Sequence, residues 1–168
     1  MRFLTIPIVL VLCVGATATS AGGERAATLS RYGLTITLPT RWQDRIYKRR
    51  SGLPVLHAAN FRLPQPDDDV GTKAIKAMRK SSVFIALLES EGTGGARFRK
   101  LAVPPQVRQA DFVAMFEGVP ASHAFARLLF TTRRRYFQLW VQFEVRPPSA
   151  RLLRQANRVL ETLRISPS

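Results

Sequence analysis

The chain has 168 residues, and its 26 Lys and Arg against 11 Asp and Glu give a net charge of +15. Its single cysteine, Cys13, lies in a predicted export leader, so the mature domain is expected to lack disulfides, thiolate metal sites and cysteine nucleophiles. Removing that leader leaves about 147 residues, which suffice for one domain with its own hydrophobic core.

The N-terminal segment predicts a secretory signal peptide. Arg2 precedes an apolar run from Phe3 to Val14, and small residues follow up to Ala21. The run of roughly twelve apolar residues is too short for a membrane anchor. We therefore expect residues 1–21 to be a signal peptide, with no transmembrane segment after cleavage. Residues 22–168 are expected to form a single α+β domain that is secreted or extracytoplasmic, in the periplasm or cell envelope.

The positive charge favours contact with polyanions such as an acidic envelope polymer, lipid headgroups or nucleic acid. A compositional origin stays open, because arginine greatly outnumbers lysine, as GC-rich coding alone would produce. Nucleic acid is not the expected partner, since the chain has no zinc-finger spacing, aromatic RNA-binding signature or helix-turn-helix pattern. The charge gathers in three places: Lys48–Arg50, Arg133–Arg135, and the helically spaced Arg151, Arg154 and Arg158.

Three strands are predicted in the first third of the chain. Leu34–Leu38 alternates apolar residues with threonines, which indicates a half-buried strand that ends at Pro39. A turn leads to Trp42, and extended segments follow at 45–48 and 55–61.

An aspartate triplet, Asp67–Asp69, precedes a predicted helix whose apolar stripe is Val70, Ala74, Ile75 and Met78. Acids at a helix start are favoured by the helix dipole, so capping is the preferred interpretation. A calcium site is the alternative, but the alternating oxygen donors, central glycine and distal glutamate of an EF-hand are missing.

The run from Val83 to Leu88 is apolar throughout, which predicts a central strand covered on both faces. The loop Gly92–Gly95 that follows lacks the glycine and lysine spacing of a phosphate-binding loop. Phe112–Phe116 is ambiguous between strand and helix, and we predict a strand.

The clearest element is a long antiparallel hairpin. Ala124–Phe130 and Phe137–Val145 both alternate, and the arginine triplet joins them. On the outer face of the second strand, Tyr136 and Trp140 form either a binding surface or a patch covered by another element. In the final helix, Leu152–Leu163 places apolar residues on one side and the arginine stripe on the other.

These elements predict an α+β fold with a mainly antiparallel sheet of about six strands covered by helices. The strand Leu34–Leu38, then Pro39 and Trp42, with a closing hairpin and a terminal helix, resembles small exported actinobacterial proteins of uncharacterised function. More loosely, the arrangement resembles PsbP-like α/β/α sandwich domains. The resemblance implies an accessory or binding module, and it carries no functional residue onto this chain.

No nucleophile in the sequence is accompanied by a base and an orienting group in a recognisable motif. The two histidines, His57 and His123, lie in apolar strands without metal-ligand spacing. Nothing in the spacing of the glutamates predicts a catalytic carboxylate pair; the candidates are Glu89, Glu91, Glu117 and Glu144. We expect no catalytic residue, no metal site and no cofactor.

The leading hypothesis is a non-catalytic secreted or envelope-associated domain that engages an anionic surface or partner through basic patches. Two alternatives stay open: a secreted hydrolase with a carboxylate/histidine centre beside the Gly92–Gly95 loop, and a protein-interaction module using the hairpin face. The residues assigned to anion or partner binding are Arg133, Arg134, Arg135, Arg151, Arg154, Arg158 and Trp140.

Overall fold

The computed structural model describes residues 26–92, 97–114 and 118–167. The predicted signal peptide 1–21, most of the Gly92–Gly95 loop and the end of the predicted strand Phe112–Phe116 lie outside these residues. The described strands are β1 Ala27–Arg31, β2 Leu34–Leu38, β3 Gln43–Lys48, β4 Pro54–Ala59, β5 Val83–Ser90, β6 Arg99–Lys100, β7 Phe112–Val113, β8 Ala124–Thr132, β9 Arg135–Phe143 and β10 Arg164–Ile165. The α-helices are α1 Thr72–Ala77 and α2 Ala150–Leu160, and Gln109–Asp111 forms a short 3₁₀ turn.

The larger sheet has seven strands in the order β3-β4-β5-β9-β8-β6, with β7 also paired to β8. Neighbouring strands are antiparallel except β6, which runs parallel to β8. The pairing of β8 with β9 extends from Ala124 opposite Phe143 to Thr132 opposite Arg135, which confirms the predicted hairpin. At the centre of the sheet, β5 is buried from Val83 to Glu89, as its apolar run predicts.

The larger sheet is covered on both faces. On one face lie α2 and a separate antiparallel sheet of β1, β2 and β10, whose apolar side chains share one buried cluster with β5, β8 and β9. The opposite face is covered by α1, where Ala74, Ile75 and Met78 pack with Phe84 and Trp140. The predicted α+β class with a mainly antiparallel sheet is therefore confirmed.

Three described strands, β1, β6 and β10, have no counterpart among the predicted strands because they carry no hydrophobic pattern of their own. β6 and β10 have two residues each, and β1 is exposed apart from the half-buried Leu29. Pairing with a neighbour, rather than intrinsic preference, places such edge segments. The predicted strand Phe112–Phe116 is present within the described residues as β7, Phe112–Val113.

The start of α1 is capped by two aspartates, as predicted. The backbone N–H of Thr72 donates to the Asp68 carboxylate at 2.8 Å, and the N–H groups of Lys73 and Ala74 each donate to Asp67 at 2.9 Å. These bonds satisfy donors that a helix N-terminus leaves free. Within the part of the chain that the structure describes, no cluster of three or more His, Cys, Asp or Glu side chains is arranged to hold a metal ion.

Candidate anion-binding sites

Helix α2 carries the predicted arginine stripe on its solvent-facing side. Ser149 caps the helix, because its Oγ accepts a hydrogen bond from the backbone N–H of Leu152 at 3.3 Å. The side of the helix that includes Leu152 is buried against the sheets. Arg151, Arg154 and Arg158 lie opposite and are exposed. They extend over about 10 Å of the helix axis at the rise of an α-helix.

The turn after β2 supplies a second wall. The backbone N–H of Trp42 donates to the carbonyl of Pro39 at 2.9 Å, which closes a four-residue turn. This turn exposes Arg41 and leaves Trp42 only 8% exposed. Between the turn and α2 lies a groove of about 560 Å³, which we call the arginine groove; its lining is Pro39, Arg41, Trp42, Asn60, Arg151, Arg154, Gln155 and Arg158.

The charge in the arginine groove has no acidic partner among the described residues. No acidic side chain lines the groove, and within residues 26–92, 97–114 and 118–167 its four arginines form no ion pair. Arg151 stands in the first turn of α2, where the helix dipole disfavours a cation. Arg154 and Arg158 are four residues apart on one helix face, and like charges at that spacing repel. An anion in the groove would relieve both effects.

The sequence pattern does not mark Arg41 as a binding residue. It stands alone between Thr40 and Trp42, outside every run of basic residues. Its role depends on α2, more than one hundred positions later in the chain, folding beside the turn. The sequence signal for Arg41 is the turn from Pro39 to Trp42, which places this side chain in an exposed position after β2.

The predicted patch of Arg133, Arg134 and Arg135 divides into exposed and buried parts, and its assignment of Arg135 to a binding surface is wrong. Arg135 is 5% exposed, and its Nε and Nη2 donate to the two carboxylate oxygens of Glu89 at 2.9 and 2.6 Å. Arg135 lies two residues before the buried Phe137 of β9, so both side chains are on the same, inward face of the strand.

Arg133 and Arg134 form the two-residue loop of the hairpin, and both are exposed. Their φ angles of 50° and 64° are in the left-handed region. This surface lies apart from the arginine groove. Arg135 contacts the carbonyl of Gly33 just before β2, whereas the groove begins at Pro39, just after β2 ends. The structure therefore places the two predicted sets of arginines at opposite ends of that strand.

Trp140 is not an exposed anchor, and that assignment is also wrong. The side chain is 8% exposed and meets the Phe125 ring edge to face, with ring centroids 5.6 Å apart. It belongs to the cluster covered by α1. Of the two interpretations that the sequence left open for this strand face, the covered one holds at Trp140, while Tyr136 remains 38% exposed.

His57 is fully buried in β4 and is held as a neutral ring. Its Nδ1 accepts a hydrogen bond from Arg45 at 2.7 Å, and its Nε2–H donates to the carbonyl of Asp69 at 2.8 Å. Burial, together with the nearby Arg45 charge, lowers the pKa of His57 to about 4. This histidine therefore serves packing and loop attachment, and its bonded partners are not glutamates.

His123 is the other candidate for hydrolytic chemistry. Burial lowers its pKa, and the negative charge of Glu144 acts in the opposite direction. No hydrogen bond from the His123 Nδ1 atom is formed within the described chain, and the cavity beside it measures about 50 Å³. Such a volume has room for a water molecule or two rather than a substrate. Glu89 is already paired with Arg135, and Glu117 lies outside the described residues.

Comparison of the chain with protein-family models, with curated proteins and with solved structures finds no match in any of the three. Among the helices of the described residues, none combines the length and apolar character needed to cross a membrane. The chemistry of the sites is thus the basis for assigning a function.

Proposed function

We propose that this chain is a non-catalytic, secreted or envelope-associated binding domain whose arginine groove takes a segment of a linear polyanion. The observation that carries the proposal is four arginines around one groove of about 560 Å³ with no acidic side chain in its lining. That volume lies within the usual range of ligand-binding pockets.

The distribution of the arginines favours repeated anionic groups over a single one. Arg151, Arg154 and Arg158 spread over about 10 Å of helix, with Arg41 on the facing wall, so several phosphates or carboxylates in a row fit better than one. Guanidinium groups bind both phosphate and carboxylate oxygens in bidentate fashion. An acidic polymer of the cell envelope has this chemistry, and export through the predicted signal peptide would bring the domain to it.

The lining supports binding rather than catalysis. It has no histidine, carboxylate or hydroxyl nucleophile, and Trp42 gives it an apolar floor. The amide of Asn60 is already engaged, since it donates to Ser81 and accepts from Val83. The accessory or binding module implied by the PsbP-like resemblance agrees with this proposal.

Titration calorimetry of the purified protein with polyglycerol phosphate and with polyglucuronate tests the proposal. We expect affinity for at least one polymer to fall steeply with salt, and the slope of log K against log salt to decrease by about one for each groove arginine removed. In Arg151→Glu/Arg154→Glu, binding should be lost while stability is kept or raised, because an acid at position 151 suits the helix dipole and an acid at position 154 lies one turn from Arg158.

The matched control is Lys73→Glu/Lys76→Glu, which changes the net charge equally on exposed positions of α1, across the larger sheet. It should bind like the unmodified protein apart from a small general charge effect. Equal loss in both double variants, or binding that is insensitive to salt, would overturn the groove as the binding site.

A further inference from the structure

We infer that the end of the molecule opposite the arginine groove docks on an anionic lipid bilayer. The contact surface, which we call the turn surface, consists of Tyr32, Lys48, Arg133 and Arg134. This inference stands apart from the proposed function, because it uses different residues and a different ligand.

Contacts made by Arg135 and by Lys48 bring three separate chain segments together at the turn surface. Arg135, held by Glu89, donates to the backbone carbonyls of Tyr32 and Gly33 at 3.2 and 3.3 Å. The Lys48 Nζ lies 5.1 Å from the centroid of the Tyr32 ring. The β1–β2 turn, the β8–β9 loop and the end of β3 therefore face the same side of the molecule.

The exposed side chains on this side combine an aromatic ring with cations. Tyr32, at 42%, is the more exposed of the two exposed large hydrophobic residues within the described residues. Arg31 also lies over its ring, with the guanidinium carbon 5.6 Å from the ring centroid. Amphipathic aromatic rings and basic side chains are the residues that favour the headgroup region of an anionic bilayer. Of the nearby acids, Glu89 is neutralised by Arg135, Glu91 is exposed, and Asp68 and Asp69 lie beside Lys48.

Local backbone preference does not explain the arginines of the loop. Two-residue hairpin loops with positive φ at both positions favour Asn-Gly, because ordinary side chains crowd the backbone there. Arg133 and Arg134 nevertheless hold φ values of 50° and 64°, and Tyr32 holds 51°. Residues kept in such conformations cluster at functional sites. What these three residues gain over Asn and Gly is an exposed cation or ring at the end of the molecule.

The shape of the turn surface favours a plane over a small ligand. Ligand sites are concave, whereas this surface is made of projecting turns. The depression next to Lys48 is lined by Asp68 and Asp69 as well as by basic residues, so its charge is mixed and it is not a purely cationic anion pocket. A bilayer surface contacts several projecting turns at once, and each basic side chain near an anionic membrane adds about fivefold in affinity.

Sedimentation with vesicles tests the inference, using phosphatidylglycerol/phosphatidylcholine vesicles and pure phosphatidylcholine vesicles. The unmodified protein should bind the anionic vesicles only. Arg133→Asn/Arg134→Gly should lower that binding about 25-fold while the melting temperature stays equal or rises, because the loop receives its preferred residues. Tyr32→Asn, which also suits a left-handed position, should lower binding severalfold without unfolding the protein.

The charge-matched control is Arg151→Gln/Arg154→Gln in the arginine groove, which should keep most of the vesicle binding. Equal binding to neutral vesicles, retention of binding in Arg133→Asn/Arg134→Gly, or an equal loss in the groove variant would overturn the inference. Polyglycerol phosphate measured on the same variants separates the two sites. If binding of polyglycerol phosphate is lost in the groove variant and kept in the turn-surface variants, the proposed function stands independently of the result with vesicles.

Discussion

Arg135 holds together the chain segments at the end of the molecule near the hairpin loop. Its guanidinium bonds both oxygens of Glu89 and also donates to three backbone carbonyls, those of Tyr32, Gly33 and Ser166. The sequence shows three identical neighbours, but alternation along a strand gives the third a different environment from a loop residue. A run of like charges is therefore one surface only when all its members lie in a loop.

Replacing Arg135 should lower the stability of the folded protein. In Arg135→Ala, the carboxylate of Glu89 remains buried without its partner, and we expect the free energy of unfolding to fall by about 3–5 kcal/mol. Urea unfolding followed by circular dichroism measures the change. Arg134→Gly serves as the control and should be neutral or stabilising, since glycine accepts the positive φ. A loss below about 1 kcal/mol in Arg135→Ala would contradict a structural role for the pair.

His57 should make stability depend on pH in a defined window. Its pKa is about 4 in the folded protein against 6.5 for the free side chain, and the charged groups around it are Arg45, Asp67 and Asp69. The unfolded chain thus takes up the proton first as pH falls. The stability present above pH 6.5 should decrease toward pH 4, by about 3 kcal/mol in total.

Urea unfolding at a series of pH values checks this expectation. In His57→Gln the decrease between pH 6.5 and 4 should largely disappear. His123→Gln should retain it, because His123 is only half-buried. The same slope in the unmodified protein and in His57→Gln would show that another group titrates.

At the scale of single elements, α1 depends on a glycine as well as on its aspartate caps. Gly71 precedes the helix with φ of 80°, and a Cβ built there would overlap the ring of Phe84. We expect Gly71→Ala to lower the free energy of unfolding by about 3 kcal/mol or more, from backbone strain and overpacking together.

Gly52→Ala isolates the backbone contribution. Gly52 has a similar φ of 83°, but a Cβ there meets no atom within 4 Å. Its replacement should lower the free energy of unfolding by only about 1 kcal/mol. Thermal unfolding of both variants measures the difference, and equal losses would show that the Phe84 contact is unimportant.

At the scale of the whole molecule, the arginine groove and the turn surface lie at opposite ends of β2 and should act at the same time. The protein should therefore carry fluorescently labelled polyglycerol phosphate down with phosphatidylglycerol-containing vesicles. Either Arg151→Glu/Arg154→Glu or Arg133→Asn/Arg134→Gly should abolish this co-sedimentation. Polymer that sediments with vesicles in the absence of protein, or with both variants, would contradict simultaneous binding.

Local sequence pattern predicted every described helix or strand of five or more residues except β1, which is almost fully exposed. The local spacing of apolar and polar residues indicates most clearly β2, β5, the β8–β9 hairpin, α1 and α2. The arginine groove could be predicted only in part, because Arg151, Arg154 and Arg158 share a helix while Arg41 joins them through folding. The burial of Trp140 could not be predicted either, because alternation along a strand does not reveal whether the second face of the sheet is covered.

The placement of the two tryptophans has a practical optical consequence. Trp42 belongs to the cluster beneath the arginine groove, and Trp140 belongs to the cluster on the other side of the larger sheet. The variant Trp140→Phe would keep Trp42 as its one tryptophan. The wavelength and intensity of Trp42 fluorescence would then report ligand binding in the arginine groove without an attached dye. The fold thus contains its own spectroscopic probe for discovering which molecule occupies that position.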